Sequence, residues 1–234
     1  MLSLTTAEAI SIKKLHIGNE ASPLLVVDNC IEQTTQLIDW ASHQTFIKNS
    51  PYYPGIRAEA PLDYQQCLLS TLQTTLIDFF QLPSPQLHFS VCHFSVVTTP
   101  PQQLKLLQRI PHFDSLNRLG LAAVHYLFKD DLGGTSFYRH NKTGFESIDE
   151  TRKLAYFSSL EAENDGPNMP KASEGYINGD TPLFTRIAEQ QGIFNRLIVY
   201  PRNILHSGSI RNELFYGDKA ISNRLTINSF IDCY

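Results

Sequence analysis

The sequence contains few cysteines, and they lie far apart. Its four cysteines form no Cys-x-x-Cys pair; they are Cys30, Cys67, Cys92 and Cys233. This spacing argues against a zinc ribbon and against a disulfide framework, so we expect reduced thiols. A length of 234 residues with 42% hydrophobic residues is sufficient for one domain with its own core. We therefore expect a single globular domain over residues 1–234.

The sequence also lacks an excess of basic residues and any long apolar run. Its formal net charge is −4, which gives no basic footprint for nucleic acid. Its first twenty residues contain no sustained apolar segment after a basic start, and no later run is long enough to span a bilayer. We therefore expect a cytoplasmic protein without a nucleic-acid or membrane partner. The sequence does not indicate the oligomeric state.

Three catalytic fingerprints are missing as well. The chain contains no Gly-x-Ser-x-Gly elbow, no Walker A loop and no Gly-x-Gly-x-x-Gly turn. The first absence removes the sequence support for a serine hydrolase, and the other two remove it for P-loop and dinucleotide-binding enzymes.

A possible metal site begins at the pentapeptide PHFDS, residues 111–115. One His-x-Asp or His-x-Glu is expected by chance in a chain of this composition, so the motif needs support from its context. In a β-strand, residues i and i+2 face the same way, so His112 and Asp114 would both point at one ion. A third ligand must come from a distant strand. His206 suits this role, because the apolar runs and proline of RLIVYPRNILHSGS, residues 196–209, predict two short strands there.

The types of these three residues favour iron. Two imidazoles and one carboxylate on one face of a metal leave the opposite positions open, as a non-haem Fe(II) oxygenase requires. Zinc is more usually held by a closed tetrahedral set.

The closing segment RLTINSFI, residues 224–231, adds an independent constraint. Arg224, Thr226, Asn228 and Phe230 alternate with a second set of residues, as in a strand with a polar end on its inner face. A buried guanidinium needs an anionic partner, and its rigid fork matches a carboxylate. No acidic residue lies on that face, so we expect the partner to be a ligand.

Together these residues make the chain resemble the Fe(II)/2-oxoglutarate dioxygenases, and within them the prolyl 4-hydroxylase-like group. That family has His-x-Asp, a distal His, and an Arg or Lys that opens the last barrel strand. The matching runs are LLVVDNCI at 24–31, AVHYLFKDDLGGTSFY at 123–138 and NRLIVYPRNILHSG at 195–208. The resemblance covers most of the chain, from about residue 24 to 232.

The resemblance implies that His112, Asp114 and His206 bind Fe(II) and that Arg224 binds the far carboxylate of 2-oxoglutarate. Tyr126 would hydrogen-bond the same cosubstrate. His93 and Asn228 complete the predicted cosubstrate set, although a core or rim position is the more common role for a histidine such as His93. The family also raises ascorbate as a further cofactor.

The spacing between the distal histidine and the arginine departs from the family pattern. The family usually has about ten residues there, whereas this chain has a longer segment that contains RNELFYGDK, residues 211–219. Lys219 is therefore a rival cosubstrate anchor. We prefer Arg224, because it directly precedes the terminal strand, while Lys219 lies in a Gly-Asp turn typical of solvent.

The resemblance implies a mainly β fold with flanking helices, a double-stranded β-helix or cupin-like jelly roll. We expect helical support over residues 29–80, including a helix at 63–80, where leucine and phenylalanine recur at three and four. The barrel would span about 87–232. The polar segment 141–194 would be a lid-like insert with a helix at 182–192. The Pro- and Tyr-rich segment 50–61 would be a loop, either one that faces the substrate or an ordered surface loop packed by its own aromatic residues.

The predicted activity is hydroxylation of a small molecule or a protein or peptide substrate, with release of succinate and CO2. Asp114 favours hydroxylation over halogenation, because related iron halogenases have a small residue in place of this carboxylate. Two alternatives stay open. One is a cupin-like metal-binding protein or metalloenzyme that does not use 2-oxoglutarate, and the other is a non-catalytic barrel module.

Overall fold

The computed structural model describes residues 3–48, 50–164, 166–212 and 224–233. The strands in this part of the chain are β1 (Ser11–Ile17), β2 (Ser22–Asp28), β3 (Gly55–Glu59), β4 (Leu87–Val97), β5 (Leu121–Tyr126), β6 (Gly134–His140), β7 (Phe184–Gln190), β8 (Arg196–Pro201), β9 (His206–Ser209) and β10 (Leu225–Cys233). The α-helices are α1 (Thr34–Ser42), α2 (Leu62–Phe80), α3 (Leu106–Arg109) and α4 (Lys153–Glu161). None of the helices described is long and apolar enough to cross a membrane.

The strands form two antiparallel sheets. The larger sheet has the order β1-β2-β8-β5-β10-β4-β3, and the smaller has the order β7-β6-β9. A bridge between His112 and His206 adds the segment around His112 to the free edge of β9. Non-consecutive strands are neighbours in both sheets, as in a jelly roll. The predicted fold, a mainly β, cupin-like jelly roll with flanking helices, is confirmed.

The larger sheet packs an apolar layer on each of its faces. On the outer face, Ile227 and Ile231 of β10 lie in one cluster with Leu72 of α2. On the inner face, Phe230 packs with Phe137 of the smaller sheet. The alternation predicted for the closing strand is therefore present, and it turns the inner-face residues toward the space between the sheets.

Helix α2 confirms the helix predicted at 63–80. Leu68, Leu72 and Leu76 recur every four residues, and all three are buried against the larger sheet. The helix ends where Gln81 adopts a left-handed conformation with φ 53°, and the amide of Leu82 donates to the carbonyl of Ile77. This arrangement satisfies a carbonyl that the last turn would otherwise leave without a donor.

The helix predicted at 182–192 is wrong, because Phe184–Gln190 forms strand β7. The polar turn that suggested a helix cap instead supports the start of the strand. The Asp180 carboxylate accepts from the amide of Arg186 at 2.7 Å, and the Thr181 hydroxyl accepts from the amide of Phe184 at 3.0 Å. Pairing with β6 along the strand outweighs local helix propensity here. The predicted lid-like segment 141–194 thus contains a strand of the smaller sheet as well as α4.

The predicted loop at 50–61 also contains a strand. Residues Gly55–Glu59 form β3 and pair with β4 at the edge of the larger sheet. Tyrosine and proline residues precede this strand, and its five residues are too few for a clear alternation of polar and apolar side chains.

A buried hydrogen-bond chain joins α2 to the larger sheet through His125. The Tyr64 hydroxyl lies 3.1 Å from His125 Nδ1, and His125 Nε2 lies 3.1 Å from Asn195 Oδ1. The Asn195 amide nitrogen donates to the Ile31 carbonyl, which identifies Oδ1 as the acceptor. His125 Nε2 must therefore carry the proton, and Nδ1 accepts from Tyr64. The fully buried imidazole is held in its neutral form.

This neutral histidine predicts a loss of stability in acid. Burial lowers the pKa of His125 from 6.5 to about 4, although the Asn195 contact opposes the change. Because the unfolded chain takes up this proton first, the associated stability is present above pH 6.5 and is lost as the pH falls toward 4. A pKa change of this size corresponds to about 3 kcal/mol.

We expect the free energy of unfolding, measured with urea, to fall less between pH 7 and pH 4.5 for His125→Gln than for the wild type. The variant should be less stable than the wild type at pH 7, because glutamine cannot reproduce both hydrogen bonds. An unchanged pH dependence in the variant would contradict the assignment.

Candidate metal centre

Three side chains from two distant parts of the chain converge between the two sheets. One ligand atom from each of His112, Asp114 and His206 lies within 4.8 Å of the others. Asp114 Oδ1 is 3.8 Å from His112 Nε2, and Asp114 Oδ2 is 3.4 Å from His206 Nε2. Three donors at these separations can bind one ion on a single face and leave its other positions open.

The backbone determines how these residues meet. The amide of His112 donates to the carbonyl of His206 at 2.9 Å, and the reverse bond is 2.8 Å long. The amide of Asp114 donates to the carbonyl of Arg202 at 2.8 Å, in the turn between β8 and β9. His112 therefore lies on an isolated bridge and Asp114 in a bend, rather than both lying on the regular strand that the sequence predicted.

His206 is oriented by a contact on the far side of its ring. Its Nδ1 lies 3.0 Å from the carbonyl oxygen of Ile204, an acceptor that requires a proton on Nδ1. Nε2 is then the unprotonated nitrogen and points toward Asp114. The ring also packs edge-on against Tyr200, with 4.9 Å between centroids. Such an outer contact fixes the tautomer and direction of a metal ligand.

His112 lies at the accessible side of the centre, and 51% of its side chain is exposed. Even so, the surrounding protein desolvates the imidazole and lowers its pKa to about 4. His206 and Arg57 lower it further, whereas Asp114 opposes them. The imidazole is therefore neutral at pH 7, which is the form that binds a metal.

Arg224 lies just before β10 and is 5% exposed. Its Nε donates to the carbonyl of Leu132 at 3.0 Å, and its Nη2 donates to the carbonyl of Gly134 at 3.0 Å. The guanidinium also stands over the ring of Phe128, at 5.3 Å. Within the described ranges no carboxylate lies within 4.0 Å of it. Burial lowers the pKa of Arg224, because the guanidinium loses its hydration and has no anion beside it to replace that stabilisation.

Tyr126 lies near this guanidinium, on the inner face of β5, but its hydroxyl has a protein partner. It donates to the Thr135 hydroxyl at 2.8 Å. Burial raises the pKa of Tyr126 to about 12, and the Thr135 contact and the charge of Arg224 act against this. The Thr135 hydroxyl retains its own proton and can donate it onward. Thr135 is therefore a candidate that sequence analysis missed, since no motif marks it.

His93 and Asn228 lie side by side on the inner face of the larger sheet, as register partners of β4 and β10. The Asn228 side-chain oxygen accepts from the Thr226 hydroxyl at 2.9 Å. His93 Nδ1 is buried and has no hydrogen-bond partner within the described residues. Their predicted roles in cosubstrate binding stay predictions. Lys219, the rival anchor, lies outside the described residues.

Arg57 of β3 is a further cationic group near the metal centre, and sequence analysis did not select it. Burial lowers the pKa of Arg57, and the Asp114 carboxylate opposes this change. The charge of Arg57 in turn adds to the lowering of the pKa of His112 and of His93, for which burial is the main cause. The only available signal was its place in the Pro- and Tyr-rich segment that we predicted to be a loop.

The donor set fits a divalent iron site. Two imidazole nitrogens and a carboxylate converge, one imidazole is oriented by a backbone carbonyl, and the other is accessible to solvent. A buried arginine without a described carboxylate partner fits a cosubstrate with its own carboxylate. These features suit a metal-dependent reaction on a small anionic cosubstrate.

Solved structures of other proteins have the same fold as this chain. HygX from Streptomyces hygroscopicus, in a crystal structure with nickel and 2-oxoglutarate bound, matches with a TM-score of 0.52 at 11% identity; the match covers 92% of this chain and 84% of HygX. A structure of HygX with hygromycin B also bound gives a TM-score of 0.51 at the same identity and coverage. At this identity the likeness shows the fold alone.

A prolyl-4-hydroxylase from Pseudomonas putida also matches, with a TM-score of 0.39, 11% identity and coverage of 86% of this chain and 100% of that one. This similarity is too low to assign the chain to the prolyl 4-hydroxylase-like group. Among family models, "Family of unknown function (DUF6445)" matches residues 8–231. No curated protein sequence matches the chain.

Proposed function

The chain belongs to the DUF6445 family, which has no assigned function, and we propose that it is an Fe(II)/2-oxoglutarate-dependent oxygenase that hydroxylates its substrate. The observation that carries this proposal is the convergence of His112, Asp114 and His206 within 4.8 Å, with Arg224 buried nearby between the same sheets. The nickel and 2-oxoglutarate present in HygX, which has the same fold, are in accord with it.

In the proposed reaction, His112 and His206 would each provide an imidazole nitrogen, and Asp114 a carboxylate oxygen, to hold Fe(II). When bound, iron and 2-oxoglutarate would supply the oxidising chemistry with O2 as the oxidant, one oxygen atom entering the substrate C–H bond as a hydroxyl and the other entering succinate as the keto acid loses CO2. The protein positions the reactants around this chemistry. His112, Asp114 and His206 would hold the ion from one side, which would leave room for the cosubstrate and the substrate on the other.

Arg224 would bind the distal carboxylate of 2-oxoglutarate through the N–H groups not used by Leu132 and Gly134. Thr135, which accepts from Tyr126, would donate its own proton to the same carboxylate. Tyr126 would then act through Thr135 rather than by direct contact. Phe128 packs against the guanidinium and excludes water, which strengthens the charge-assisted contact.

An anaerobic titration with Fe(II) and 2-oxoglutarate tests this proposal. A keto acid chelated to Fe(II) gives a weak visible charge-transfer band, and we expect this band to saturate at one equivalent of each. Aerobic succinate release should then require both. Iron binding without the band would instead support the cupin-like metalloprotein, and the absence of iron binding would support a non-catalytic module.

Several finer assignments stay predictions under this proposal. They are membership of the prolyl 4-hydroxylase-like group, the use of ascorbate to keep iron reduced, the cytoplasmic location, and a small-molecule or peptide substrate. Added ascorbate should raise the number of turnovers before inactivation if iron oxidation limits them.

A further inference from the structure

Arg57 lies on the inner face of the larger sheet, near its β3 edge. Its register partner on β4 is Ser95, and cross-strand partners share a face. The neighbouring β4 residue Phe94 packs with the outer cluster beneath the helices, so Ser95 and Arg57 face the space between the sheets. The side chain of Arg57 therefore extends toward the region that contains the metal centre.

The charge of Arg57 has no anionic partner in the described part of the chain. The chain has ten arginines, and seven of them form an ion pair with a carboxylate there; these are Arg118, Arg139, Arg152, Arg186, Arg196, Arg202 and Arg211. Arg57 has none, and its Nε is buried without a hydrogen-bond partner. It stands over the ring of Tyr53, 4.1 Å from the ring centre, which fixes the direction of the guanidinium plane.

The Tyr53 hydroxyl is a second buried donor at this place. It makes no hydrogen bond of normal geometry to any described residue. Burial raises the pKa of Tyr53, and the charges of Arg224 and Arg57 and a weak contact with the Ser95 side chain act against this. A buried hydroxyl and a buried guanidinium N–H without partners are costly to maintain. Two such groups side by side indicate a position that a polar ligand satisfies.

Arg57 differs from Arg224 in depth. Arg224 is almost fully buried and is held by two backbone carbonyls, whereas Arg57 is partly exposed and none of its side-chain nitrogens is bonded to a described backbone carbonyl. Arg57 also acts electrostatically on both His112 and Asp114, without coming within 4.0 Å of the carboxylate. The metal centre therefore has two cations near it, one deep and one at its accessible side.

We propose that Arg57, together with Tyr53, binds a carboxylate of the prime substrate, which makes the substrate a carboxylic acid. This inference rests on the proposed oxygenase function and specifies the substrate class. The planar guanidinium would pair with both carboxylate oxygens, and the Tyr53 hydroxyl would donate to one of them. The substrate carbon beyond the carboxylate would then lie toward the open side of the iron.

The test uses matched probes on the anaerobic Fe(II)·2-oxoglutarate complex with 2-oxoglutarate at saturation. Calorimetry would measure the binding of benzoate and hippurate and of their uncharged amides, at constant ionic strength, while the charge-transfer band is recorded. The proteins are the wild type, Arg57→Gln, and Arg118→Gln as the matched control, since Arg118 is exposed and pairs with Asp149.

We expect the wild type and Arg118→Gln to bind an acid at least tenfold more tightly than its amide, with the band retained. Arg57→Gln should lose this preference because it binds the acid more weakly and the amide as before. Its dissociation constant for 2-oxoglutarate should stay within threefold of the wild-type value. Tyr53→Phe should lose part of the preference.

Four results would overturn the assignment. In the first, the wild type binds acid and amide equally or binds neither detectably, and in the second, Arg57→Gln keeps the preference for the acid. In the third, adding the acid removes the charge-transfer band, and in the fourth, Arg57→Gln raises the dissociation constant for 2-oxoglutarate. The last two would place the anion in the cosubstrate site. Failure of the wild type to form the band would instead contradict the oxygenase function itself.

Discussion

The His206→Ala variant is expected to lose Fe(II) binding by on the order of a hundredfold or more and to release no measurable succinate. His206 is 5% exposed, and its Nε2 points at Asp114 while Nδ1 is tied to the carbonyl of Ile204. Mutation of a residue that only hydrogen-bonds a metal ligand commonly lowers metal affinity or activity by about 10–100-fold, so loss of the ligand itself should lower them at least as much. Iron binding by equilibrium dialysis and succinate release measure the two effects.

This variant should still fold, because the bonds that connect His206 to His112 are made by backbone atoms. We expect the far-ultraviolet circular dichroism spectrum to be unchanged. The His43→Ala variant provides the control, since His43 is an exposed histidine at the end of α1. A His206→Ala protein that binds iron normally and turns over at the wild-type rate would show that the metal centre is assigned incorrectly.

The metal centre could be predicted from sequence because its residues obey local rules. His112 and Asp114 are two residues apart, and His206 follows a proline break between two apolar runs. Their actual geometry depends on contacts that no local rule describes. The bridge between His112 and His206, and the bond from Asp114 to the Arg202 carbonyl, exist only once two distant segments have become neighbours.

The closing strand was predictable for a related reason. Its two faces meet different environments, so polar and apolar residues alternate along it. Strand β7 is the opposite case. Phe184 and Ala188 lie at helical spacing, and a polar turn precedes them, yet pairing with β6 determines the structure. Local propensity is weak enough for a sheet neighbour to override it.

Arg57 could not be selected from sequence because its significance depends on register. Only the pairing of Arg57 with Ser95 turns it toward the metal centre, and only its lack of a described partner distinguishes it from the seven paired arginines. Tyr126 illustrates a different limit. Its position on the inner face was predictable, whereas the bond of its hydroxyl to Thr135 required the second sheet.

Arg224→Gln is expected to raise the dissociation constant for 2-oxoglutarate by about 10–100-fold, since a charge-assisted hydrogen-bonded contact is worth roughly 1.5–3 kcal/mol. Fe(II) affinity should stay near the wild-type value, because Arg224 is not among the metal-ligating residues. The charge-transfer band titrated with 2-oxoglutarate gives the first quantity, and dialysis gives the second. Glutamine retains a donor for the carbonyl of Leu132 or Gly134, so the loss should reflect the charge rather than unfolding.

Lys219→Gln is the informative comparison, because both residues could supply the cation that binds the distal carboxylate. If Arg224 is the anchor, Lys219→Gln should titrate like the wild type, and Arg224→Lys should recover part of the affinity by restoring a point charge without the bidentate fork. A large effect of Lys219→Gln with none from Arg224→Gln would make Lys219 the anchor. The buried charge of Arg224 favours the first outcome, since an anion that joins a guanidinium desolvated between two sheets offsets part of its lost hydration.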